Sequence, residues 1–504
     1  MGTIGFLNEE QRLQIGYSYI INKVNALTPY GQENIKHIKP FTSKNASLLV
    51  QELDEMELIS NAMDSPLQQL KEIKNLLKFF KDIRGSLKRC KNGFVLDEVE
   101  LYELKGFTAL LHKVYNLYNS SQLKLPSVSF QDTSSIRDLL DPEKTGVSTF
   151  YIYDSYSESL GDIRKRKRVL ENKMLTADSP DKLAALRKQR LAAVIEEEAE
   201  ELKVRCALSK QIKESLPQLE ENIRSLGRLD FLMAKCSCAL SLKAVRPKIG
   251  TPDKLYIKDG FNPQVVDSLK EMGKSFTPIS ISLKCGMTVI TGANMGGKSI
   301  TLKTIVLNLM LLHMGFFVCA RDACLPVMDF IELISDDLQS VSQGLSTFGA
   351  EIMKLREMLA LAKKSTGFMG FDEFARGTNP NEGRIMAKAL CTYLNTLPSI
   401  SVLTTHYDGV ADETMTHYQV IGLENVDFME LKKKINLKYA NSIDIIQSHM
   451  DYRLKRVTSC TQVPRDALNI SMLIGLDDEI IATAKELYEK GDCDNYGKQI
   501  KSKY

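Results

Sequence analysis

The spacing of apolar and polar positions divides this chain into a helical first half and a second half in which strands and helices alternate. Between residues 48 and 88, apolar side chains recur every three or four positions among charged ones, which predicts amphipathic helices. The Ser-Pro-Asp sequence at 179–181 is typical of a helix start. The stretch that follows contains no Gly or Pro until Pro217, so it predicts one long helix that ends near Ser215.

In the second half, short apolar runs alternate with helical patterns. Residues 287–291, 368–372 and 400–405 have the composition of buried strands, whereas 300–314 and 381–394 have helical spacing. A strand–helix–strand succession predicts parallel strands with right-handed crossovers. The second half is therefore expected to be an α/β domain.

Charge is concentrated on two predicted helices, 157–174 and 181–215. The first carries five consecutive basic residues at 164–168, and the second is acidic over much of 196–201. We interpret the pair as a solvated antiparallel helical arm, since charged faces usually lie in water. The alternative is a groove for nucleic acid, in which the basic run contacts phosphates.

Glycines and prolines cluster between residues 247 and 274, where the pattern changes, and we place a domain boundary there. The predicted organisation is listed here in chain order: a helical N-terminal region (1–150), a helical core with charged lever helices (151–245), an α/β domain (246–465) and a C-terminal helical segment (466–504).

Composition narrows the class of protein. The 504 residues are 43% hydrophobic, carry a net charge of +3 and include 10 cysteines. None of the cysteines forms a C-x-x-C pair, so a reduced cytoplasmic protein is expected. The most apolar stretch, 305–320, is shorter than the ~20 residues of a membrane span, and the first residues do not have the pattern of a secretory signal. We expect no membrane association.

A phosphate-binding loop follows the strand predicted at 287–291. Its G-x-x-x-x-G-K-S sequence consists of Gly292, Ala293, Asn294, Met295, Gly296, Gly297, Lys298 and Ser299. Glycines let consecutive backbone N–H groups turn toward phosphate oxygens, the lysine supplies a positive charge, and the serine hydroxyl can bind Mg²⁺. The strand before and the helix after favour this interpretation over a glycine-rich turn without a ligand. The predicted ligands are ATP and Mg²⁺.

Two further strand ends supply candidate catalytic groups. Asp372 and Glu373 follow an apolar run, and His406 follows the next predicted strand. We predict that Asp372 holds Mg²⁺ and that Glu373 polarises the attacking water. His406 is predicted either to sense the γ-phosphate or to hold the water, because ligands bind at the carboxyl ends of parallel strands.

These motifs resemble the MutS family of ABC-type ATPases. The matching segments are ITGANMGGKS (290–299), GLSTFGAEI (344–352), FDEFARGTNPNEG (371–383), TTHY (404–407) and ALNISMLIGLDDEIIATAKEL (467–487). The resemblance implies an ABC-type α/β P-loop ATPase domain, a mixed sheet flanked by helices, preceded by an all-α core and lever domain.

The resemblance also implies a homodimer with composite ATP sites. Ser346 of one subunit would reach the γ-phosphate bound by the other, and Phe276 would stack on the base. Ala293 and Ala375 depart from the family pattern, which usually has Pro and Gly at these positions. The family's mismatch-recognition and clamp domains have no counterpart in the sequence.

Two outputs of such an ATPase remain open. The family default is DNA binding in mismatch repair or recombination. The alternative is a protein-remodelling ATPase similar to the reactivase subunit of adenosylcobalamin-dependent lysine or ornithine aminomutases, which acts on a client enzyme with an accessory subunit. The TPYG sequence at 28–31 and the GANMGGKS loop favour the alternative. A transporter subunit is disfavoured because an LSGGQ-type signature is missing.

Overall fold

The computed structural model divides the chain into two compact units. The residues that it describes are 5–64, 68–144, 146, 150–292, 297–335, 347–424, 426, 449–457, 468, 470–472 and 476–487. One unit, here called the sheet unit, comprises Met1–Lys23, Lys39–Leu53 and Ala239–Tyr504. The other, the helical unit, comprises Val24–Ile38 and Asp54–Cys238.

Helices make up the described regular structure between residues 9 and 242, as the periodicity predicted. In chain order they are α1 (Glu9–Gln14), α2 (Tyr17–Ile21), α3 (Pro29–Lys36), α4 (Ala46–Asp64), α5 (Gln68–Leu77), α6 (Arg84–Lys91), α7 (Glu98–Ser120), α8 (Ser134–Leu140), α9 (Glu158–Leu175), α10 (Pro180–Glu214) and α11 (Leu216–Leu242), with short 3₁₀ turns at Ser43–Asn45 and Asp154–Tyr156.

The helix starts follow the capping residues of the sequence. The Ser157 side chain caps α9, and the Ser179 side chain accepts a hydrogen bond from the Lys182 backbone N–H at the start of α10. The long helix predicted from residue 181 is α10. Pro217 lies in the first turn of α11, where a missing backbone N–H leaves no helical hydrogen bond unmade.

Helices α9 and α10 run antiparallel, and ion pairs join them along their length. Arg164 lies 3.0 Å from Glu197 and 2.7 Å from Glu201, and Arg190 lies 2.8 Å from Glu171. Lys167 also pairs with Glu197, and Arg166 pairs with Glu196. Much of the basic run at 164–168 is thus neutralised inside the antiparallel helical pair, whereas the sequence pattern led us to expect these charges in solvent.

The TPYG sequence at 28–31 has a structural role in the helical unit. The Asp230 carboxylate accepts hydrogen bonds from the backbone N–H of Thr28 (2.7 Å) and Leu27 (3.1 Å), and the Thr28 hydroxyl donates to it as well. A Cβ atom on Gly31 would lie 2.3 Å from Asp230 Oδ2, so only glycine fits there. The Tyr30 hydroxyl donates to the Lys81 carbonyl and accepts from the Ile83 N–H.

The sheet unit contains two sheets. Its strands are β1 (Lys248–Gly250), β2 (Lys254–Gly260), β3 (Ile279–Lys284), β4 (Gly286–Thr291), β5 (Asp322–Pro326), β6 (Phe330–Ile334), β7 (Gly367–Asp372), β8 (Ile400–Thr405), β9 (Thr416–Gly422) and β10 (Asp451–Arg456); its further helices are α12 (Pro263–Glu271), α13 (Lys298–His313), α14 (Thr347–Ala362) and α15 (Pro380–Leu394).

The larger sheet has the strand order β10-β9-β4-β8-β7-β6. Strands β9, β4, β8, β7 and β6 are parallel, and β10 is antiparallel to β9 at the edge. The smaller sheet, in the order β1-β5-β2-β3, mixes parallel and antiparallel pairs. The all-helical region followed by mixed α/β sheets agrees with the predicted fold class.

Helix α13 is the buried centre of the sheet unit. Nearly all of its residues are buried, including the polar Asn308 and His313. Asn308 accepts a 2.7 Å hydrogen bond from the Cys319 N–H, and His313 Nδ1 lies 2.7 Å from the Phe41 carbonyl oxygen. Burial lowers the pKa of His313 to about 4, so the ring is neutral at physiological pH. In the described part of the chain, no helix combines the length and apolarity of a membrane span.

The first residues of the chain belong to the sheet unit. The Ile331 N–H donates to the Gly5 carbonyl over 2.8 Å, and the buried Gln11 amide donates to the Leu333 carbonyl over 2.6 Å. These contacts place residues 5–14 along β6, the edge strand that precedes the segment containing Ser346.

Candidate ATP site

Three parallel neighbours in the larger sheet end at one edge, and each is followed by a predicted site residue. Thr291, the last residue of β4, is paired with Thr405 of β8, and Thr404 is paired with Asp372 of β7. This aligned register brings the ends of β4, β7 and β8 together, because parallel strands place their carboxyl ends on the same side.

The glycines that flank the phosphate-binding loop have the backbone conformations that the motif needs. Gly292 has φ +146°, and a Cβ atom there would lie 3.0 Å from Val420 Cβ. Gly297 has φ +79° and precedes the first residue of α13. The loop residues Ala293, Asn294, Met295 and Gly296 lie outside the described part of the chain.

Lys298 is the buried cation of the site. Its Nζ donates a 2.9 Å hydrogen bond to the Gly292 carbonyl and lies 3.5 Å from Glu373 Oε1. Burial lowers the pKa of Lys298, and the Glu373 carboxylate opposes this effect. The ammonium group therefore lies at the N-terminus of α13, where a phosphate would meet both its charge and the helix dipole.

Asp372 is held by two hydroxyl groups. Ser299 Oγ donates to Asp372 Oδ1 over 2.8 Å, and Thr404 Oγ1 donates to the same oxygen over 2.6 Å. Burial raises the pKa of Asp372, which these two hydrogen bonds oppose. The adjacent serine and carboxylate oxygens fit a hard divalent cation such as Mg²⁺, which prefers oxygen ligands.

Glu373 lies among three basic side chains. Its carboxylate is 2.9 Å from Arg376 Nη1, 3.5 Å from Lys298 Nζ and 3.9 Å from His406 Nδ1. The His406 ring, then the charges of Lys298 and Arg376, lower the pKa of Glu373 to about 2 against the effect of burial. Glu373 is therefore ionised throughout the physiological pH range.

The backbone after β7 takes an uncommon path. Glu373 has φ +50° and Ala375 has φ +64°, both in the left-handed region that disfavours residues with a Cβ atom. The Glu373 N–H donates to the Thr404 carbonyl over 3.0 Å, and the Ala375 N–H donates to buried Glu351 Oε2 over 3.0 Å. The MutS family, which the motifs resemble, usually has glycine at the position of Ala375. The positive φ explains this preference, because glycine adopts the left-handed region without strain.

The structure brings five of the predicted site residues together. Lys298, Ser299, Asp372, Glu373 and His406 lie within one set of contacts. Ser346, predicted to act across a dimer, lies outside the described residues.

Phe276, the predicted base-stacking residue, is half-buried and described. The ring that meets the loop in the described contacts is Tyr452 of β10, 3.1 Å from the position of a Cβ on Gly297. The stacking role of Phe276 stays a prediction.

Glu351, Arg376 and Thr404 contribute contacts to the site that the sequence pattern did not predict. Arg376 lies three residues after Glu373 and Thr404 lies at a strand end, so their positions in the motifs were visible signals. Glu351 also lies in a quoted segment, GLSTFGAEI, but its contact with Ala375 joins residues that are 24 positions apart, and local pattern does not indicate such a contact. Among the described residues there is no cluster of three or more His, Cys, Asp or Glu side chains that could hold a metal by themselves.

Comparisons with known proteins agree with this geometry. Residues 288–489 match the family described as MutS domain V, which is an ATPase domain that binds ATP. The match begins within β4 and includes the loop, Asp372, Glu373 and His406.

Distant relatives extend over most of the chain. Endonuclease MutS2 of Ruminiclostridium cellulolyticum is 29% identical over 303 residues, covering 59% of this chain and 35% of the relative. Endonuclease MutS2 of Pediococcus pentosaceus is 31% identical and covers 61% of this chain and 36% of the relative. Endonuclease MutS2 of Caldanaerobacter subterraneus subsp. tengcongensis is 24% identical over 486 residues, covering 84% of this chain and 58% of the relative.

In these matches the chain spans about a third to three fifths of the length of its curated relatives. The phosphate-binding loop, the paired carboxylates at the next strand end and the matched domain therefore identify the chain as a protein with the MutS-type domain V ATPase, distantly homologous to the MutS2 endonucleases over most of its length.

Proposed function

We propose that this protein is a Mg²⁺-dependent ATPase that couples ATP binding and hydrolysis to a conformational switch between paired subunits. The observation that carries the proposal is the convergence of Lys298, Ser299, Asp372 and Glu373 at the carboxyl edge of β4, β7 and β8. A cation, a metal-binding pair of oxygens and an ionised carboxylate at one edge are the groups that phosphoryl transfer to water needs.

In the proposed reaction, the side chains change partners when ATP binds. Lys298 exchanges its contacts with the Gly292 carbonyl and Glu373 for phosphate oxygens, since a phosphate offers stronger charge complementarity. Ser299 and Asp372 would hold Mg²⁺, which would neutralise phosphate charge. Glu373, freed from Lys298, orients the attacking water; its low pKa makes it better suited to orienting the water than to keeping a proton. His406 stays beside Glu373 and can contact the water or the γ-phosphate.

The test of the ATP site is the substitution Lys298→Ala. We expect it to abolish ATP binding, measured by titration calorimetry, because the loop loses its only cation among the described residues of the motif 292–299. Lys388→Ala is a matched control, since Lys388 is exposed on α15 and should leave ATP affinity unchanged. Unchanged ATP affinity in Lys298→Ala would refute the phosphate-binding role.

We propose DNA as the effector of the switch, with a homodimer in which Ser346 of one subunit completes the site of the other. Support comes from the distant homology to proteins named Endonuclease MutS2. The decisive measurement is ATP hydrolysis with and without duplex and branched DNA, together with DNA affinity as a function of salt. Binding that weakens steeply with salt and stimulates hydrolysis supports DNA as the effector.

A protein client is the second candidate, favoured by the charge pairing within the α9–α10 pair. Arg164, Arg166 and Lys167 are bonded to carboxylates of α10, which leaves fewer cations for phosphate contacts. DNA that neither binds at low salt nor changes the ATPase rate would favour a client enzyme over DNA.

A further inference from the structure

The outer face of α10 carries an apolar stripe that faces away from α9. Ala193, Glu197 and Val204 are buried on the inner side of α10. On the opposite side Leu191 and Ile195 are each 59% exposed and Leu202 is 47% exposed. Large aliphatic side chains at one helical spacing, exposed on a highly charged helix, are typical of a contact surface.

The stripe has the spacing of a two-helix seam. Its positions are Ala184, Lys188, Leu191, Ile195, Glu198 and Leu202, which alternate in steps of four and three residues. All six are exposed. Steps of four and three are the repeat that keeps one helix face against a partner helix.

The seam is complementary to itself when a second copy runs antiparallel. If the two-fold axis passes midway between Leu191 and Ile195, Leu191 meets Ile195, Lys188 meets Glu198, and Ala184 meets Leu202. Each apolar side chain then faces an apolar one, and each charge faces its opposite. A two-fold contact uses the same surface on both copies, so this complementarity within one stripe is what such a contact requires.

Neighbouring registers do not share this property. Shifting the partner helix by one heptad in one direction places Ile195 opposite Glu198, and in the other direction it places Leu191 opposite Lys188. A parallel pair in register places Lys188 against Lys188 and Glu198 against Glu198. Burying an aliphatic side chain against a charge, or like charges against each other, is unfavourable, so one antiparallel register is selected.

The charges of the seam take no part in the ion pairs that join α9 and α10. Arg164, Lys167 and Arg190 pair with carboxylates between α9 and α10. Among the described residues, Lys188 and Glu198 form no ion pair, although they flank the aliphatic positions. The two opposite charges lie at equal distances on either side of the aliphatic pair and are not neutralised by described residues of the same chain. This arrangement favours a docking surface over an ordinary solvated face.

We propose that the outer face of α10 docks on the same face of a second copy of this chain, antiparallel and with its two-fold axis midway between Leu191 and Ile195. The seam extends over about 27 Å at ~1.5 Å per residue. Such a contact is short, and it is expected to be weak and reversible. It is separate from the proposed ATP-dependent contact, which uses the sheet unit.

A zero-length carbodiimide cross-link between Lys188 and Glu198 tests this contact in the native protein. Within one chain the two residues are ten positions apart on a straight helix, about 15 Å, too far for such a link. Full-length protein with ¹⁴N is mixed with the ¹⁵N form, cross-linked with and without ATP, and analysed by mass spectrometry. We expect mixed-isotope peptides that join position 188 to position 198.

Two sets of variants make the result specific. Lys188→Glu leaves a carboxylate at both positions and serves as the chemical blank, in which the 188–198 link should be absent. The double exchange Lys188→Glu/Glu198→Lys again gives one amine and one carboxylate, and it should restore the mixed-isotope link. Leu191→Gln/Ile195→Gln should also lower the yield, whereas Leu175→Gln should not, because Leu175 is exposed outside the seam. Circular dichroism checks that helicity is retained.

Absence of a mixed-isotope 188–198 link in both nucleotide states would overturn the proposal. So would a link that survives Leu191→Gln/Ile195→Gln, or a charge exchange that fails to restore it. Unchanged ATP affinity in Lys298→Ala would refute the phosphate-binding role and leave this contact standing, so the two proposals fail separately.

Discussion

At the scale of single residues, Glu373 combines a carboxylate surrounded by basic side chains with a backbone in the left-handed region. Three basic side chains lower its pKa to about 2, against about 4.3 for an unperturbed glutamate. Because the folded pKa is depressed, the ionised carboxylate stabilises the fold above the unfolded pKa. That contribution is lost as the pH falls through the folded value.

We expect Glu373→Gln to bind ATP and to lower the rate of hydrolysis by at least about 100-fold, because an amide cannot polarise the water. Since Glu373 stays ionised, the wild-type rate should show no loss from its protonation between about pH 5 and pH 8. Single-turnover hydrolysis across that pH range checks both statements. Normal turnover by Glu373→Gln would remove Glu373 from the catalytic role.

Ala375 tests the backbone strain next to this carboxylate. It is fully buried with φ +64°, so Ala375→Val adds bulk and a branched Cβ in the left-handed region. We expect a loss of about 2 kcal/mol in the free energy of unfolding and a lower ATPase rate. Ala375→Gly is the control; it relieves strain and loses one methyl contact, so its change should stay within about 1 kcal/mol. Equal stability of the valine and glycine variants in urea would contradict this account.

At the scale of elements, the α9–α10 pair depends on cross-helix ion pairs because both helices are strongly charged. Arg164 is the central residue, with contacts to Asp154, Glu197 and Glu201, and its side chain is only 16% exposed. These three carboxylates raise the pKa of Arg164 against the effect of burial. A charge with several partners at low exposure contributes more than an isolated surface pair.

We expect Arg164→Ala to destabilise the helical pair locally by about 2 kcal/mol, since it leaves Glu197 with one basic partner fewer in a buried place. Hydrogen–deuterium exchange over residues 158–214 should then be faster by a factor of about 30. Arg168→Ala is the matched control, because Arg168 is exposed in the same basic run. Equal exchange rates in the two variants would show that these ion pairs do not hold α9 on α10.

At the scale of the whole molecule, the proposed switch requires two chains. Ser346 follows β6 in the sequence, while the other site residues follow β4, β7 and β8. A site completed in trans would make ATP binding and dimerisation the same event.

The measurement is the molar mass of Glu373→Gln by light scattering with ATP and Mg²⁺. We expect the mass to double when ATP is added, because bound but unhydrolysed nucleotide keeps the closed pair. Lys298→Ala/Glu373→Gln is the control and should not change mass with ATP. A variant that binds ATP and keeps the mass of one chain would refute the composite site.

Much of the candidate ATP site could be predicted from the sequence, because its residues lie in contiguous motifs. Residue spacing in the sequence is enough to recognise the loop from Gly292 to Ser299 and the Asp372-Glu373 pair. The predicted strand ends then place His406 close to that pair. The residues that hold these groups in place could not be predicted from the sequence. Thr404 holding Asp372, and Glu351 holding the Ala375 N–H, are contacts between residues 32 and 24 positions apart.

By itself the sequence determined the helical and α/β halves, the phosphate-binding loop and the carboxylates, because period, caps and glycines act over a few neighbouring residues. Tertiary structure decided which partners neutralise the basic run at 164–168 and where residues 5–14 lie. The fold paired the basic run of α9 with α10 and laid residues 5–14 along β6. Such outcomes depend on which distant surfaces meet, and that is set by packing and long-range pairing rather than by local preference.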